Sequence, residues 1–191
     1  MQDMTEIRWH ARAGQGAVTA SKLLAEAALL KGSYIQAMPE YGPERTGAPL
    51  RAYTRISSAP IEVHNNITNP SIVVVLDETL LSVVDVLEGL DENGTVVINT
   101  KLDVDGARAI LNAPAGVKVA VVDASGIALD TLRRDLPNTP TVSALAHVTG
   151  TVSIDALKDN LVKEFSHKFA KEVVDANLVS VDRAVSEVKV G

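Results

Sequence analysis

The sequence predicts an α/β fold with three α/β/α layers, a mostly parallel but mixed sheet, and additional helices at the C-terminus. Strand-like and helix-like segments alternate along the 191 residues, as in chains whose parallel strands are linked by helices. The segments 73–76 and 119–122 are unbroken apolar runs, which is typical of strands buried on both faces. A glycine turn at 12–18 follows the first strand-like segment directly. These observations together predict a sheet covered on both faces.

The individual elements follow from apolar periodicity. Short apolar or β-branched runs indicate strands, and apolar residues at helical spacing indicate helices. The predicted strands are 5–11, 34–38, 50–57, 71–77, 94–99 and 117–123, and the predicted helices are 17–31, 78–90, 103–112, 125–134, 142–149, 154–164 and 167–187.

The second and third strands leave two arrangements open. They belong either to separate crossover units or to one long hairpin through a loop rich in Pro and Gly, at 38–49. The hairpin is the reason to expect a mixed sheet. Within the third strand, Arg51, Tyr53 and Arg55 alternate with small residues, which predicts one polar face.

The rest of the chain has simpler patterns. The acidic pair at 77–78 is interpreted as a helix start, where carboxylates interact favourably with the helix dipole. The C-terminal helical portion, about 154–191, carries an apolar stripe that is interpreted as packing on the sheet. Without an internal repeat or a convincing linker, residues 1–191 are expected to form a single domain.

Composition narrows the functional classes. The chain is 46% apolar, enough for one substantial core, and it has no 18-residue apolar run that would indicate a membrane span. The first residues lack the features of a signal peptide, so a cytoplasmic location is expected. The absence of cysteine excludes disulfides, cysteine-bound zinc, iron–sulfur clusters within this chain and thiol catalysis.

The charge distribution favours an anionic small molecule as partner. Residues 1–60 carry seven Lys or Arg against five Asp or Glu, a net +2, whereas the remainder carries 11 against 19, a net -8. Aromatic residues make up only 3% of the chain. A nucleic-acid surface would show a denser basic stripe and more aromatic residues, so no nucleic-acid partner is expected.

The glycine turn is the main candidate site. Glycines at 14 and 16 allow close backbone approach to a ligand, and the helix that follows directs unpaired N–H groups and its positive dipole end at an anion. Thr19 stands where a dinucleotide fingerprint has its third glycine, and no Walker sequence follows. The alternative is a tight strand-to-helix turn without a ligand. The predicted anion-binding residues are Gly14, Gln15, Gly16, Ala17, Val18 and Thr19.

The loop at 38–49 carries a cation, Arg45, for which two roles remain open. Arg45 either forms an ion pair with Glu40 or Glu44 that orders the loop, or it grips a phosphate with its planar guanidinium. The histidines are dispersed, without metal-ligand spacing, and are interpreted as strand-end or surface residues. No catalytic or metal-binding residue is predicted. The histidines are His10, His64, His147 and His167.

Several segments are distinctive when taken together. They are 7–10, 13–20, 36–49 and 51–55, followed by 73–78, 137–140 and 144–150. These segments resemble the gamma subunit of 2-oxoacid:ferredoxin oxidoreductases, most closely that of the pyruvate enzyme, and the resemblance covers nearly the whole chain. Ala13 stands where many members of that family have another glycine, which should stiffen the turn.

The resemblance implies a subunit that is inactive alone. In this family a 2-oxoacid, CoA and oxidised ferredoxin yield acyl-CoA, carbon dioxide and reduced ferredoxin. Thiamine diphosphate, Mg and [4Fe–4S] clusters are expected in alpha, beta and delta type partner subunits and not in this chain, and ferredoxin is expected to act through the complex. The family likeness also implies CoA binding by the glycine turn and by a basic loop before a Thr-Gly pair, here Arg45, Thr46 and Gly47.

Two other functions stay open from the sequence. One is a purely structural assembly subunit, in which the loop at 38–49 is an interface element. The other is a stand-alone nucleotide-binding module.

Overall fold

A seven-stranded mixed sheet forms the centre of the structure, a computed structural model that describes residues 4–40 and 47–191. The strands are β1 (Met4–Arg12), β2 (Tyr34–Glu40), β3 (Pro49–Ser57), β4 (Ile72–Val75), β5 (Thr95–Asn99), β6 (Lys118–Val122) and β7 (Lys189–Val190). The helices are α1 (Ala17–Leu29), α2 (Val104–Leu111), α3 (Ala124–Leu132), α4 (Asn138–Thr149), α5 (Ile154–Phe165) and α6 (Lys171–Glu187), and Glu78–Ser82 form a short 3₁₀ helix. The predicted α/β class is confirmed.

The strand order is β2-β3-β1-β4-β5-β6-β7. Strands β1, β4, β5 and β6 run parallel to one another, whereas β3 is antiparallel to both β1 and β2. The hairpin alternative is therefore correct, because Glu40 pairs with Arg51 across the two strands that flank the Pro/Gly loop. The two-residue strand β7, antiparallel to β6, was not predicted, since two residues are too few to give a periodic pattern.

The sheet separates two hydrophobic cores. On one face, Trp9 and neighbouring apolar residues pack against α1, α3, α4, α5 and α6. On the other face, alternate Val and Ile residues of β4, β5 and β6 pack against α2 and apolar residues of the segment 81–90. Residues on both faces of β4 are buried. This explains why the sequence is apolar at every position of 73–76 and does not alternate with polar residues.

The predicted helix at 78–90 is wrong beyond its first turn. After the 3₁₀ helix, Val86 is buried in the second core, and the backbone oxygens of Val86 and Glu88 accept hydrogen bonds from the Arg8 guanidinium. Gly89 has a φ of +70°, and a Cβ there would lie 2.1 Å from the backbone oxygen of Thr68. Tertiary contacts therefore override the helical spacing of the apolar residues.

Two further helix boundaries differ from prediction. Helix α4 begins at Asn138 and not at 142. Pro140 lies in its first turn, where the missing N–H costs no helical hydrogen bond, so the proline does not prevent this earlier start. Helix α6 begins at Lys171 instead of 167. The predicted C-terminal stripe is only partly buried: Leu157, Leu161 and Val174 join the core, while Phe165 is half-buried and Phe169 and Val173 are exposed.

Within the described ranges, no helix combines the length and apolar character needed to span a bilayer.

Candidate functional site

The glycine turn lies between the end of β1 and the start of α1, as predicted. Gly14 and Gly16 have φ values of +104° and +82°, in the left-handed region that favours glycine. Gly14 is exposed, and a Cβ there would meet no atom of the described residues within 4 Å. A Cβ at Gly16 would lie 2.9 Å from Nδ2 of Asn138. Gly14 is thus required by backbone conformation alone, and Gly16 also by the close approach of α4.

Helix α1 begins in a way that suits an anion. Gly16 is the N-cap, and among the described residues no side chain caps this end and no acidic residue occupies the first turn. The first intrahelical bond is donated by Ala20 to the oxygen of Gly16, at 2.9 Å. The N–H groups of Ala17, Val18 and Thr19 precede that bond and have no hydrogen-bond partner among the described residues, at the positive end of the helix dipole.

The Gln15 side chain ties the turn to the end of β4. Its Oε1 accepts a hydrogen bond from the backbone N–H of Arg12 at 2.8 Å. Its Nε2 donates to Oδ2 of Asp77 at 2.7 Å. Both ends of the amide are therefore engaged within the protein. Gln15 stabilises the conformation of the turn, and the ligand-binding potential lies in the backbone around it.

Arg12 is a site residue that sequence reasoning missed. Its Nε and Nη2 donate to Oγ1 of Thr79 at 3.0 and 2.8 Å, and its Nη1 donates to the backbone oxygen of Gly47 at 3.1 Å. Its Nε also lies 3.4 Å from Oδ2 of Asp77. The available signal was a cation at the first residue of the glycine turn. Its partners could not be read from the sequence because they come from distant segments.

Asp77 remains ionised beside the turn. Burial by itself would raise the pKa of Asp77, but hydrogen bonds from Thr79 and Gln15 and the charge of Arg12 together hold it below the usual value. Asp77 also caps the 3₁₀ helix, accepting from the N–H of Thr79 at 2.9 Å. The prediction that this carboxylate starts a helical segment is therefore confirmed, although the segment is only a short 3₁₀ turn.

The structure brings part of the Pro/Gly loop against the glycine turn. The N–H of Gly47 donates to the oxygen of Ala13 at 3.2 Å, and the N–H of Ala13 donates to the oxygen of Ala48 at 2.9 Å. The two predicted halves of the site, 14–19 and Gly47, are thus neighbours. Arg45 and Thr46 lie outside the described residues.

A crevice of about 210 Å³ opens beside the turn, at the carboxyl ends of β4, β5 and β6. Asn99 organises its floor by donating to the oxygen of Leu76 at 2.9 Å and accepting from the N–H of Ser125 at 3.0 Å. This is the edge of a parallel sheet where α/β proteins bind ligands. The crevice is acidic apart from Lys101, with Asp77, Glu78, Asp123 and Asp135 in its lining.

The histidines provide no metal site. No group of three or more His, Asp or Glu side chains in the described part of the chain is placed to hold a metal ion. His64, His147 and His167 are exposed, as expected. His10 lies near the end of β1, in agreement with the strand-end alternative, but it is buried. Burial and the charges of Arg8 and Arg51 lower the pKa of His10 to about 3, so it is neutral near pH 7.

The chain matches the family model described as pyruvate ferredoxin/flavodoxin oxidoreductase over residues 6–187. It is 50% identical over 184 residues to pyruvate synthase subunit PorC of Thermotoga maritima, covering 96% of this chain and 94% of that protein. It is 44% identical over 183 residues to the pyruvate/ketoisovalerate oxidoreductases common subunit gamma of Thermococcus litoralis, covering 95% and 98% of the two chains.

The crystal structure of the pyruvate oxidoreductase subunit PORC from Thermotoga maritima has the same fold. Its TM-score is 0.87 at 47% sequence identity, with 98% of each chain covered. The fold described above, including the strand-turn-helix at 4–29, is thus shared with that relative over 98% of each chain. This chain is a member of the pyruvate ferredoxin/flavodoxin oxidoreductase family, of the gamma-subunit type.

Proposed function

We propose that this chain helps to bind and orient CoA in a multisubunit pyruvate or 2-oxoacid:ferredoxin oxidoreductase. The observation that carries the proposal is the uncapped start of α1 beside Gly47. N–H groups directed at one point bind a phosphate well, because they meet it without reorganising. The sequence resemblance adds Arg45 and Thr46 to this site, as the phosphate-gripping cation and its neighbour.

The proposal divides the chemistry among subunits. This chain has no cysteine for clusters, so the [4Fe–4S] clusters, thiamine diphosphate and Mg are assigned to alpha, beta and delta type partners, and electrons reach ferredoxin through them. The Thermococcus litoralis relative is named as common to pyruvate and ketoisovalerate oxidoreductases. A subunit shared between two substrates fits a role in handling CoA, the substrate common to both reactions. The expected location is the cytoplasm.

The contribution of this chain is orientation. The phosphates of CoA bind the first-turn N–H groups of Ala17, Val18 and Thr19, and the thiol end extends towards the partner subunit that carries the acyl group. Holding the thiol in place converts a bimolecular encounter into a step within one complex. The acidic crevice beside the turn repels further phosphate groups and accepts hydrogen-bond donors, so it suits the neutral arm of CoA better than its charged end.

A carboxylate placed in the first turn of α1 tests the proposal. Thr19 is exposed, so Thr19→Glu removes no core packing. The new charge interacts favourably with the helix dipole and should raise the free energy of unfolding of the chain by about 0.3–1 kcal/mol. The same charge should repel phosphate and raise the KM for CoA in the assembled enzyme about tenfold, which corresponds to roughly 1.4 kcal/mol.

Thr19→Gln is the matched control, since it has the same shape without the charge. It should leave the KM for CoA close to wild type. If Thr19→Glu assembles normally and its KM for CoA is unchanged, the CoA role is lost and the structural assembly subunit becomes the better explanation. The stand-alone module is tested by purifying the chain from its native source. That function predicts a monomer that binds a nucleotide and that purifies without any iron–sulfur partner.

A further inference from the structure

Arg12 connects three segments that are far apart in the sequence. It lies at the end of β1, and its guanidinium contacts Gly47 at the end of the Pro/Gly loop and Asp77 and Thr79 after β4. We propose that Arg12 is a positioning residue that prepares the glycine turn for an anion, by holding the loop end beside the turn and by neutralising Asp77. Its consequence for CoA rests on the proposed function above.

The positioning role depends on the shape of the guanidinium. Nη1 donates to Gly47 while Nε and Nη2 donate to Thr79, so two sides of one planar group hold two different segments. A lysine ammonium at the end of a flexible stem cannot reproduce this fixed fork. The backbone bonds between Ala13 and Gly47–Ala48 lie directly beside this contact. Loss of the guanidinium should therefore loosen the junction of turn and loop.

The electrostatic role follows from the position of Asp77. Gln15 binds the same carboxylate oxygen that faces Arg12, so that oxygen is held against the glycine turn. An ionised carboxylate this close opposes an incoming phosphate. Arg12 is partly exposed, with 29% of its side-chain surface accessible, and it supplies the compensating positive charge. Without Arg12, the turn would keep its free N–H groups but also an uncompensated negative charge.

Steady-state kinetics of the assembled enzyme test the electrostatic role. Arg12→Ala should raise the KM for CoA about ten- to a hundredfold, the range expected on losing hydrogen bonds from a charged group. The double variant Arg12→Ala/Asp77→Asn should have a KM for CoA at least about threefold lower than that of Arg12→Ala, because the repelling charge is then absent. Arg12→Lys should keep the charge and show a smaller increase. Kinetic constants for the 2-oxoacid should stay near wild type throughout.

Hydrogen–deuterium exchange of the same complexes, without CoA, tests the positioning role. Arg12→Ala and Arg12→Lys should both accelerate exchange at 12–17 and 47–50, because neither variant can hold the loop end. Arg108→Ala is the matched control, since Arg108 also donates to backbone oxygens, those of Pro114, Val117 and Gly191, but at a distant part of the sheet. It should leave exchange at the turn and the KM for CoA unchanged.

The outcomes separate the two proposals. If exchange at the turn stays at the wild-type rate in Arg12→Ala, or if Asp77→Asn restores no CoA affinity, the proposal for Arg12 is overturned, while Thr19→Glu still decides the CoA role. If exchange accelerates but neither Arg12→Ala nor Thr19→Glu changes the KM for CoA, the proposed function is overturned and Arg12 is only a structural tie. Should Arg12→Ala fail to assemble, Arg12→Gln, which also removes the charge, carries the same comparison.

Discussion

The two faces of β1 are buried by different means. Ile7, Trp9 and Ala11 have no exposed surface and face the helices. On the opposite face, Arg8 and His10 are almost as completely buried, at 3% and 2% exposure. The guanidinium of Arg8 contacts the irregular segment 83–90, and that of Arg55 on the neighbouring strand contacts the irregular segment 58–70. Strand β1 therefore has an apolar interior on one face and a polar interior on the other.

The polar interior is held together by two arginines. Arg8 donates to Nε2 of His10 at 3.0 Å and to the backbone oxygens of Val86 and Glu88 at 3.1 and 2.5 Å. Arg55, on the neighbouring strand, donates to carboxylate, amide and backbone oxygens of four residues from three different segments. Its partners are Glu6 at 2.6 Å, Gln36 at 2.8 Å, Asn65 at 3.2 Å and the backbone oxygen of Val63 at 3.4 Å.

The difference has a simple physical cause. A helix satisfies most of its own carbonyl groups, so the surface beneath it needs only apolar side chains of suitable volume. An irregular segment leaves carbonyl oxygens without partners, and each one that is buried must find a donor. The five N–H donors of a guanidinium meet that demand. On the polar face, buried arginines thus satisfy the backbone carbonyl oxygens, whereas on the apolar face the hydrogen bonds within the helices do so.

Truncation of Trp9 should break the apolar face most severely. Trp9→Ala removes the largest fully buried side chain and leaves Oγ1 of Thr54 without its donor at 3.0 Å. The free energy of unfolding should fall by about 3–5 kcal/mol, measured by urea denaturation of the purified chain. Tyr34→Ala is the control, because Tyr34 is 47% exposed. A loss at Trp9 as small as that at Tyr34 would contradict the packing described here.

Replacement of Arg8 should affect the polar face locally. Arg8→Met keeps a long side chain of similar volume but removes the donors to Val86 and Glu88. The free energy of unfolding should fall by about 2–3 kcal/mol, and proteolytic cleavage within 83–90 should increase. Arg183→Met serves as the comparison, since Arg183 pairs with exposed carboxylates on the surface. If both variants lose the same stability, burial of Arg8 has no special importance.

The protonation of His10 gives the smallest effect. Its pKa is about 3 in the folded chain and about 6.5 when unfolded, so between those values only the unfolded state binds the proton. Stability should therefore fall as the pH is lowered, by about 2 kcal/mol from pH 7.5 to 5 on account of this residue. In His10→Gln that component should vanish. His147→Gln, at an exposed site, should retain it, and equal pH profiles for all three proteins would contradict this assignment.

Apolar runs and turn residues were sufficient to predict much of the fold. The runs at 73–76 and 119–122 became the parallel strands β4 and β6, because a run of Val and Leu without alternation fits a strand buried on both faces. The start of α1 was predicted at the correct residue, since Gly16 directly precedes a stretch of good helix formers. Each of these signals lies within a few residues of the element it predicts.

The errors lie where distant segments compete with local pattern. Residues 78–90 have helical spacing, yet Arg8 and the second core hold most of this segment in turns. The burial of His10 was not predicted, and its charged neighbour Arg51 comes from the paired strand β3. At the candidate site, the predicted Gly14–Thr19 turn and Gly47 came together, whereas the tie between them, Arg12, was not recognised.

The sequence by itself determined the α/β class, the parallel strands, the position of the glycine turn and the resemblance to the gamma subunits, because each depends on local periodicity or on residues close together along the chain. Tertiary structure alone decided the partners of Arg8, Arg12 and Arg55 and the location of Asp77 beside the turn. A long cationic side chain can reach many acceptors, and its choice depends on which unsatisfied oxygens the folded backbone brings within about 3 Å.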